Sequence, residues 1–298
     1  MFNVQCSIFN IFITFVPKNK THTLYMKYII RKNLWLLTLI LTLCSSSVLA
    51  ACDNNADAAS DKVAEIISRD TLLVGTTGDY RPLSFYEAEK GTYWGFDIEV
   101  ASEIANALGV KVTFIKTSWP TLTSDVLAEP QTFDFAIGGI TITDERKEQM
   151  LMSDGYLANG KTILCRASDS HLYQSLADID KPEVRVMVNP GGLNEKFANT
   201  NLPHATILVY PINEDIPTLI AEGQADVMIT EITEAPYYVK ADSRLAAPLL
   251  NKHFNHGEIC ILMRKGQDNL MQIVNATLQR MKTDGTLRSL QEKYGLIY

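Results

Sequence analysis

From residue 70 onward, short apolar runs alternate with amphipathic stretches, and their spacing predicts where strands and helices fall. Thr71–Thr76 reads as a strand. Ile98, Ala101, Ile104, Ala105 and Leu108 follow the helical period and predict a helix over 98–108. Strands are predicted at 112–116 and 133–138, separated by the Thr117-Ser118-Trp119-Pro120 turn and a helix running through Leu127. After an irregular connection comes a strand at 160–166, and the alternation restarts. Strands at 184–188, 206–209 and 227–230 are separated by helices that begin at Leu193 and span 216–222, and a further helix covers 234–241. Residues 257–264 form another strand. The stretch 269–284 sets Leu270, Ile273, Val274, Leu278 and Met281 on one helical face, and 287–294 continues as a last helix.

Such alternation predicts an α/β fold in which a mostly parallel sheet carries helices on both faces. Its restart predicts two lobes. With crossings at Lys161–Arg166 and 259–264, lobe 1 comprises 70–162 and 259–298, and lobe 2 comprises 163–258. A hinge and a cleft follow from that arrangement.

The first stretch of the chain has a different pattern. Met26 is the natural start of a signal peptide over 26–51, and residues 1–25 read as an upstream extension. Lys27, Arg31 and Lys32 precede an apolar run at 34–43 that is too short for a stable anchor, and small residues follow at 45–51. Leu49-Ala50-Ala51-Cys52 resembles a bacterial lipobox, in which Cys52 becomes a lipidated N-terminus; an ordinary cut after Ala50 also satisfies the small-residue rule. Residues 52–69 then read as a polar tether, and Asp53 resembles an inner-membrane retention signal. Both cuts place the mature protein outside the cytoplasm, in the periplasm, with or without a lipid anchor.

Composition narrows the partners. Removal of 1–52 leaves 22 basic against 34 acidic residues, a net charge of −12, which makes nucleic acid a poor partner. Cys165 and Cys260, the other mature cysteines, are too few for a disulfide framework, and the sequence does not decide whether they pair.

Candidate chemistry gathers where strands run through glycine turns into helices. In 188–197, Gly191-Gly192 permit the turn, and the helix start points backbone N–H groups outward as an anion site. Glu195 sits in that first turn, either as a cap or as a working acid. The Gly138-to-Arg146 stretch repeats the pattern with a cation, and Arg146 suits a carboxylate held from two sides. Tyr80 stands in the loop leaving the first strand, where open α/β sheets bind ligands. Lys161, beside the hinge, is a surface residue or the holder of a second carboxylate, and Trp119 is core or pocket wall. His253 and His256 near Cys260 form only a weak metal pattern, and no metal site is assigned. No serine elbow, P-loop or dinucleotide fingerprint occurs, and no cofactor is implied.

Val74-Gly75-Thr76, Gly95-Phe96-Asp97, Phe133-Asp134-Phe135-Ala136-Ile137-Gly138-Gly139 and Gly223-Gln224-Ala225-Asp226 resemble the periplasmic amino-acid-binding proteins of ABC importers over residues 70–298. That resemblance implies a two-lobe fold, with Arg146 and the Thr141 hydroxyl gripping an α-carboxylate and Tyr80 stacking over the ligand. A narrower resemblance, carried by 76–80, the Ser118-Trp119-Pro120 turn, 154–157, Gly160-Lys161-Thr162 and above all Asn189-Pro190-Gly191-Gly192 with Asn194-Glu195-Lys196-Phe197, is to the secreted cyclohexadienyl dehydratases. It implies conversion of prephenate to phenylpyruvate, and in many members of arogenate to phenylalanine, with Glu195 as general acid and Asn189 and Asn194 in the pocket.

That chemistry needs a proton for a leaving hydroxyl, cations to orient carboxylates and a closed site. A helix N-terminus favours the charged form of Glu195, so burial or a neighbouring carboxylate must keep its proton on, and Glu231 is the candidate neighbour. Glu231 stands where these families carry an Asp for an amino group, and Leu193 replaces a usual Thr. The alternative is a non-catalytic amino-acid receptor of an importer, which shares the fold and Arg146.

Overall fold

A computed structural model describes residues 61–297. Its strands, in chain order, begin with β1 (Thr71–Thr76), β2 (Asp79–Tyr80), β3 (Ser84–Glu87), β4 (Thr92–Trp94), β5 (Lys111–Lys116), β6 (Phe135–Ala136), β7 (Leu151–Met152) and β8 (Leu157–Asn159). They continue with β9 (Lys161–Arg166), β10 (Arg185–Val188), β11 (Thr206–Val209), β12 (Val227–Glu231), β13 (Leu245–Ala246), β14 (Gly257–Ile259) and β15 (Leu262–Met263).

Two five-stranded sheets result, in the orders β5-β1-β6-β15-β7 and β11-β10-β12-β9-β13. In the first, β1 runs parallel to β5 and β6 while β15 runs antiparallel to β6 and β7. In the second, β10 runs parallel to β11 and β12 while β9 runs antiparallel to β12 and β13. Each sheet therefore has one reversed strand in the same place, a likeness that no sequence repeat announces.

Alternation along the strands explains why both faces are covered. In β10 and β12, Val186, Val188, Val227 and Ile229 join one apolar cluster, and Met187 and Met228 join the cluster on the opposite face. In β1, Leu72 and Val74 face the helix Phe96–Leu108, whereas Leu73 packs against the other cluster of that lobe. Each such fully buried side chain contributes roughly 1.5–3 kcal/mol from burial.

Three expectations are corrected. Residues 62–69 do not act as a tether: Lys62–Arg69 is a helix capped by the Asp61 side chain, its Ile66 wholly buried. Lys62 and Arg69 pair with the buried Asp134, which a flexible tether would not do. Lys161–Arg166 is not a crossing either, because β9 lies wholly within the second sheet; the antiparallel ribbon of β8 with β14 stands outside both sheets. The predicted strand 257–264 divides accordingly into β14 and β15, each with different partners. Residues 1–60, and with them the signal peptide and Cys52, lie outside the described residues.

Candidate functional site

Strand ends bring the site together. In each sheet, chain leaving the carboxyl ends of the parallel strands turns toward the other lobe, and the side chains on those turns line one pocket. Tyr80, Trp119, Thr141 and Arg146 come from the first lobe, and Lys161, Asn189, Asn194 and Glu231 from the second. All eight candidate binding residues thus meet, and the walls close on one another to about 20 Å³, roughly one water.

The first wall is built on glycine. Gly139 has φ +79, and a Cβ there would lie 2.3 Å from the Tyr80 ring, so only glycine lets that ring seat. The Gly139 N–H donates to buried Asp97 at 2.7 Å, and the Tyr156 hydroxyl donates to the other Asp97 oxygen at 2.8 Å. Burial pushes the Asp97 carboxyl up to about 7 despite those bonds. Tyr80 meets Trp119 edge to face at 5.9 Å, and the Trp119 indole N–H donates to Asp79 at 3.0 Å. Trp119 is therefore pocket wall and core contact at once.

Arg146 opens the helix Asp144–Gln149, whose N-terminus is capped by Thr143 Oγ1 accepting the Arg146 N–H at 3.2 Å. Its guanidinium donates to the Thr141 carbonyl at 2.7 Å and forms no ion pair among the described residues. Burial lowers its pKa from the usual value, the cost of a half-buried cation without an anion.

The second wall is already paired. Lys161 and Glu231 are register partners on β9 and β12, and the Lys161 ammonium donates to Glu231 at 2.5 Å and to Asn194 at 2.6 Å. The Tyr80 hydroxyl donates to the other Glu231 oxygen, which ties the two walls. Burial alone would raise the Glu231 carboxyl; the Lys161 charge and the bonds from Lys161 and Tyr80 outweigh it and hold Glu231 below the usual carboxylate range. Behind it, Glu234 accepts from Thr230 at 2.5 Å and from Asn213 at 3.1 Å, and burial pushes it up to about 8.

Glu195 lies beside the central pocket rather than in it. It is absent from the central pocket lining and stands with Arg146, Glu145 and Lys196 around an adjoining cleft of about 280 Å³. Its carboxylate accepts the Gly191 N–H at 2.6 Å, as a capping side chain does. Glu231, the neighbour proposed for it, is committed to Lys161 and Tyr80. Gly191 itself has φ +75, and a Cβ there would meet the Pro120 backbone at 2.6 Å, so the Ser118-Trp119-Pro120 and Asn189-Pro190-Gly191 turns pack across the cleft.

Sequence reasoning missed three polar residues, Asn213 in the pocket lining and Thr233 and Asn159 bonded behind it. Asn213 donates to the Asp79 carbonyl at 3.0 Å as well as to Glu234, bridging the lobes. Thr233 and Asn159 continue the ring of bonds: the Thr233 hydroxyl lies 3.3 Å from the Tyr80 hydroxyl and donates to Asn159 at 3.1 Å, and Asn159 donates to Thr141 at 3.2 Å. Only their proximity in the fold marks them. His253 and His256 bond to each other at 2.8 Å, and Cys165 and Cys260 are free and buried, with burial raising both thiols to about 12.

The fold is that of a two-lobe α/β protein with a polar pocket lined from both lobes, the arrangement of a small-molecule binder. Residues 72–297 match the model of the bacterial extracellular solute-binding proteins, family 3, and the chain belongs to that family. It is 38% identical over 237 residues to the cyclohexadienyl dehydratase of Pseudomonas aeruginosa, covering 80% of this chain and 87% of that protein. With the L-cystine-binding protein TcyJ of Escherichia coli it shares 28% identity, over 77% of this chain and 84% of that one. Among solved structures, the ancestral amino acid-binding protein AncCDT-1, a precursor of cyclohexadienyl dehydratase, superposes with a TM-score of 0.72 at 36% identity, covering 79% of this chain and 99% of the other.

Proposed function

We propose that this protein is a cyclohexadienyl dehydratase that converts prephenate to phenylpyruvate. The observation that carries the reading is the Arg146 guanidinium, left without an ion pair among the described residues, beside a helix start whose Gly192, Leu193 and Asn194 line the same pocket and whose next residue is Glu195. The higher identity to the dehydratase than to the cystine-binding protein supports it.

In this reading Arg146 and Thr141 orient a substrate carboxylate, and Lys161, through the one ammonium N–H its two bonds leave over, orients the second. The ring carboxylate leaves as carbon dioxide, its electrons aromatise the ring, and the ring hydroxyl takes a proton from Glu195 and leaves as water. Glu195 must give up the Gly191 N–H to do so, which requires a rotation of its side chain toward the pocket. Incubation of the purified protein with prephenate should yield phenylpyruvate. Glu195→Gln should lower turnover about a hundredfold or more while binding survives. Turnover within a few-fold of the parent makes Glu195 only a cap.

A second reading, a non-catalytic amino-acid receptor for an importer, is favoured by that same Glu195 bond to Gly191 and by the likeness to AncCDT-1. Tight amino-acid binding without turnover would establish it. In both readings the protein is exported, and Cys52 carries lipid; an intact mass starting at Ala51 with nothing added would reject the lipid.

A further inference from the structure

Both oxygens of Glu231 are in use, one on Lys161 at 2.5 Å and the other on the Tyr80 hydroxyl, and Lys161 and Glu231 are each only 5% exposed. Among the described residues no other carboxylate lines the pocket. Asp79 accepts from Trp119, Asp97 from Gly139 and Tyr156, and Glu234 from Thr230 and Asn213, all behind the walls. The lining charges are Arg146, Lys161 and Glu231. With the last two neutralising each other, one positive charge remains, and it suits a carboxylate. A ligand's α-ammonium would find neutral acceptors such as Asn213 Oδ1, which is buried without a hydrogen-bond partner, and a Glu231 carboxylate whose charge Lys161 already balances. A neutral amide oxygen satisfies an N–H but does not balance a desolvated charge.

We propose that the Lys161–Glu231 pair is a specificity device, by which the pocket takes a 2-oxo carboxylate in preference to its 2-amino counterpart. The proposal rests on the reading of this pocket as the ligand site. It is independent of whether the bound ligand is then transformed.

Calorimetric titration of the full chain with phenylpyruvate and with L-phenylalanine tests it. Phenylpyruvate should bind about tenfold or more tightly, the scale of one lost bond to a charged group. Equal affinities, tighter binding of L-phenylalanine, or binding of neither overturns the proposal. Lys161→Gln keeps a hydrogen bond to Glu231 but frees its charge, so the ratio should move about tenfold toward L-phenylalanine. An unchanged ratio in a variant with the parent's circular dichroism overturns the device. Should that variant not fold, Glu231→Gln gives the opposite test, since it frees Lys161 and must widen the preference; a narrowed preference overturns it. Prephenate turnover is scored separately. Its absence with the binding preference intact sinks the dehydratase and leaves this proposal standing, and turnover with the preference reversed does the converse.

Discussion

The two walls of the cleft solve the same problem differently. On the first, Arg146 is held only by a backbone carbonyl and a capped helix start, so its charge has no ion pair among the described residues. On the second, the Lys161 charge is balanced by Glu231 before any ligand arrives, and two of its three N–H groups are held by Glu231 and Asn194. Each wall is backed by a carboxyl whose pKa burial raises, Asp97 behind Gly139 to about 7 and Glu234 behind the Asn213 bridge to about 8. The difference teaches which wall supplies affinity and which supplies selection. An unmet charge attracts an anion, and a charge already paired sets which further groups are refused.

The largest expected effect comes from the backing carboxyls and concerns stability. Glu234 moves from 4.5 to about 8 on folding, so the folded chain keeps a proton that the unfolded chain has lost. That contribution is fully present below 4.5 and disappears as pH rises through about 8. Asp97 acts with the same sign between 3.8 and about 7. The unfolding free energy from urea titration should therefore fall from pH 5 to pH 8, by a few kcal/mol in all. Glu234→Gln, neutral at every pH, should flatten the slope and surpass the parent at pH 8. A parent whose stability is level or rises over that range would show that the second wall is not backed by a protonated acid.

Next in size is the first wall's cation. Arg146→Lys keeps the charge but removes the planar fork, and affinity for phenylpyruvate should drop about tenfold to a hundredfold by titration calorimetry. Unchanged affinity would take Arg146 out of the site and leave the first wall without a function in binding.

How far the walls could be read in advance differs between them. Arg146 and the loop holding Tyr80 follow strand ends that periodicity places, and the family resemblance then singles out Tyr80 and Thr141. The pairing of Lys161 with Glu231 depends on the register of β9 against β12, which joins residues 70 apart and leaves no local mark. Asn159, Thr233 and Asn213 are ordinary polar residues until the fold brings Asn213 into the pocket lining and the other two into bonds behind Tyr80 and Thr141. The same reason hid the helix Lys62–Arg69. Its charged residues read as a tether because Asp134, which two of them hold, lies more than sixty positions away in sequence. The apolar run 259–263 inside the predicted strand 257–264 hid a division between ribbon and sheet, since apolar content is the same in both settings.

The smallest expected effect tests the contact that joins the two helix starts directly. Lys196, on the helix Leu193–Asn201, pairs with Glu145, on the helix Asp144–Gln149, across the mouth of the adjoining cleft. The Lys196 hydrogen bond and charge hold the Glu145 carboxyl below its usual range, yet both side chains are 63% exposed. Water and salt screen such a pair, and holding two long side chains in one geometry costs rotamer entropy. Lys196→Ala should thus weaken phenylpyruvate affinity by no more than about threefold at low salt, and the difference should vanish near 1 M salt. Calorimetry at the two ionic strengths measures it. A tenfold loss that persists in high salt would mean that this exposed pair, rather than the buried Tyr80 to Glu231 bond, holds the walls together, and the division between an attracting wall and a selecting wall would have to be redrawn around the cleft mouth.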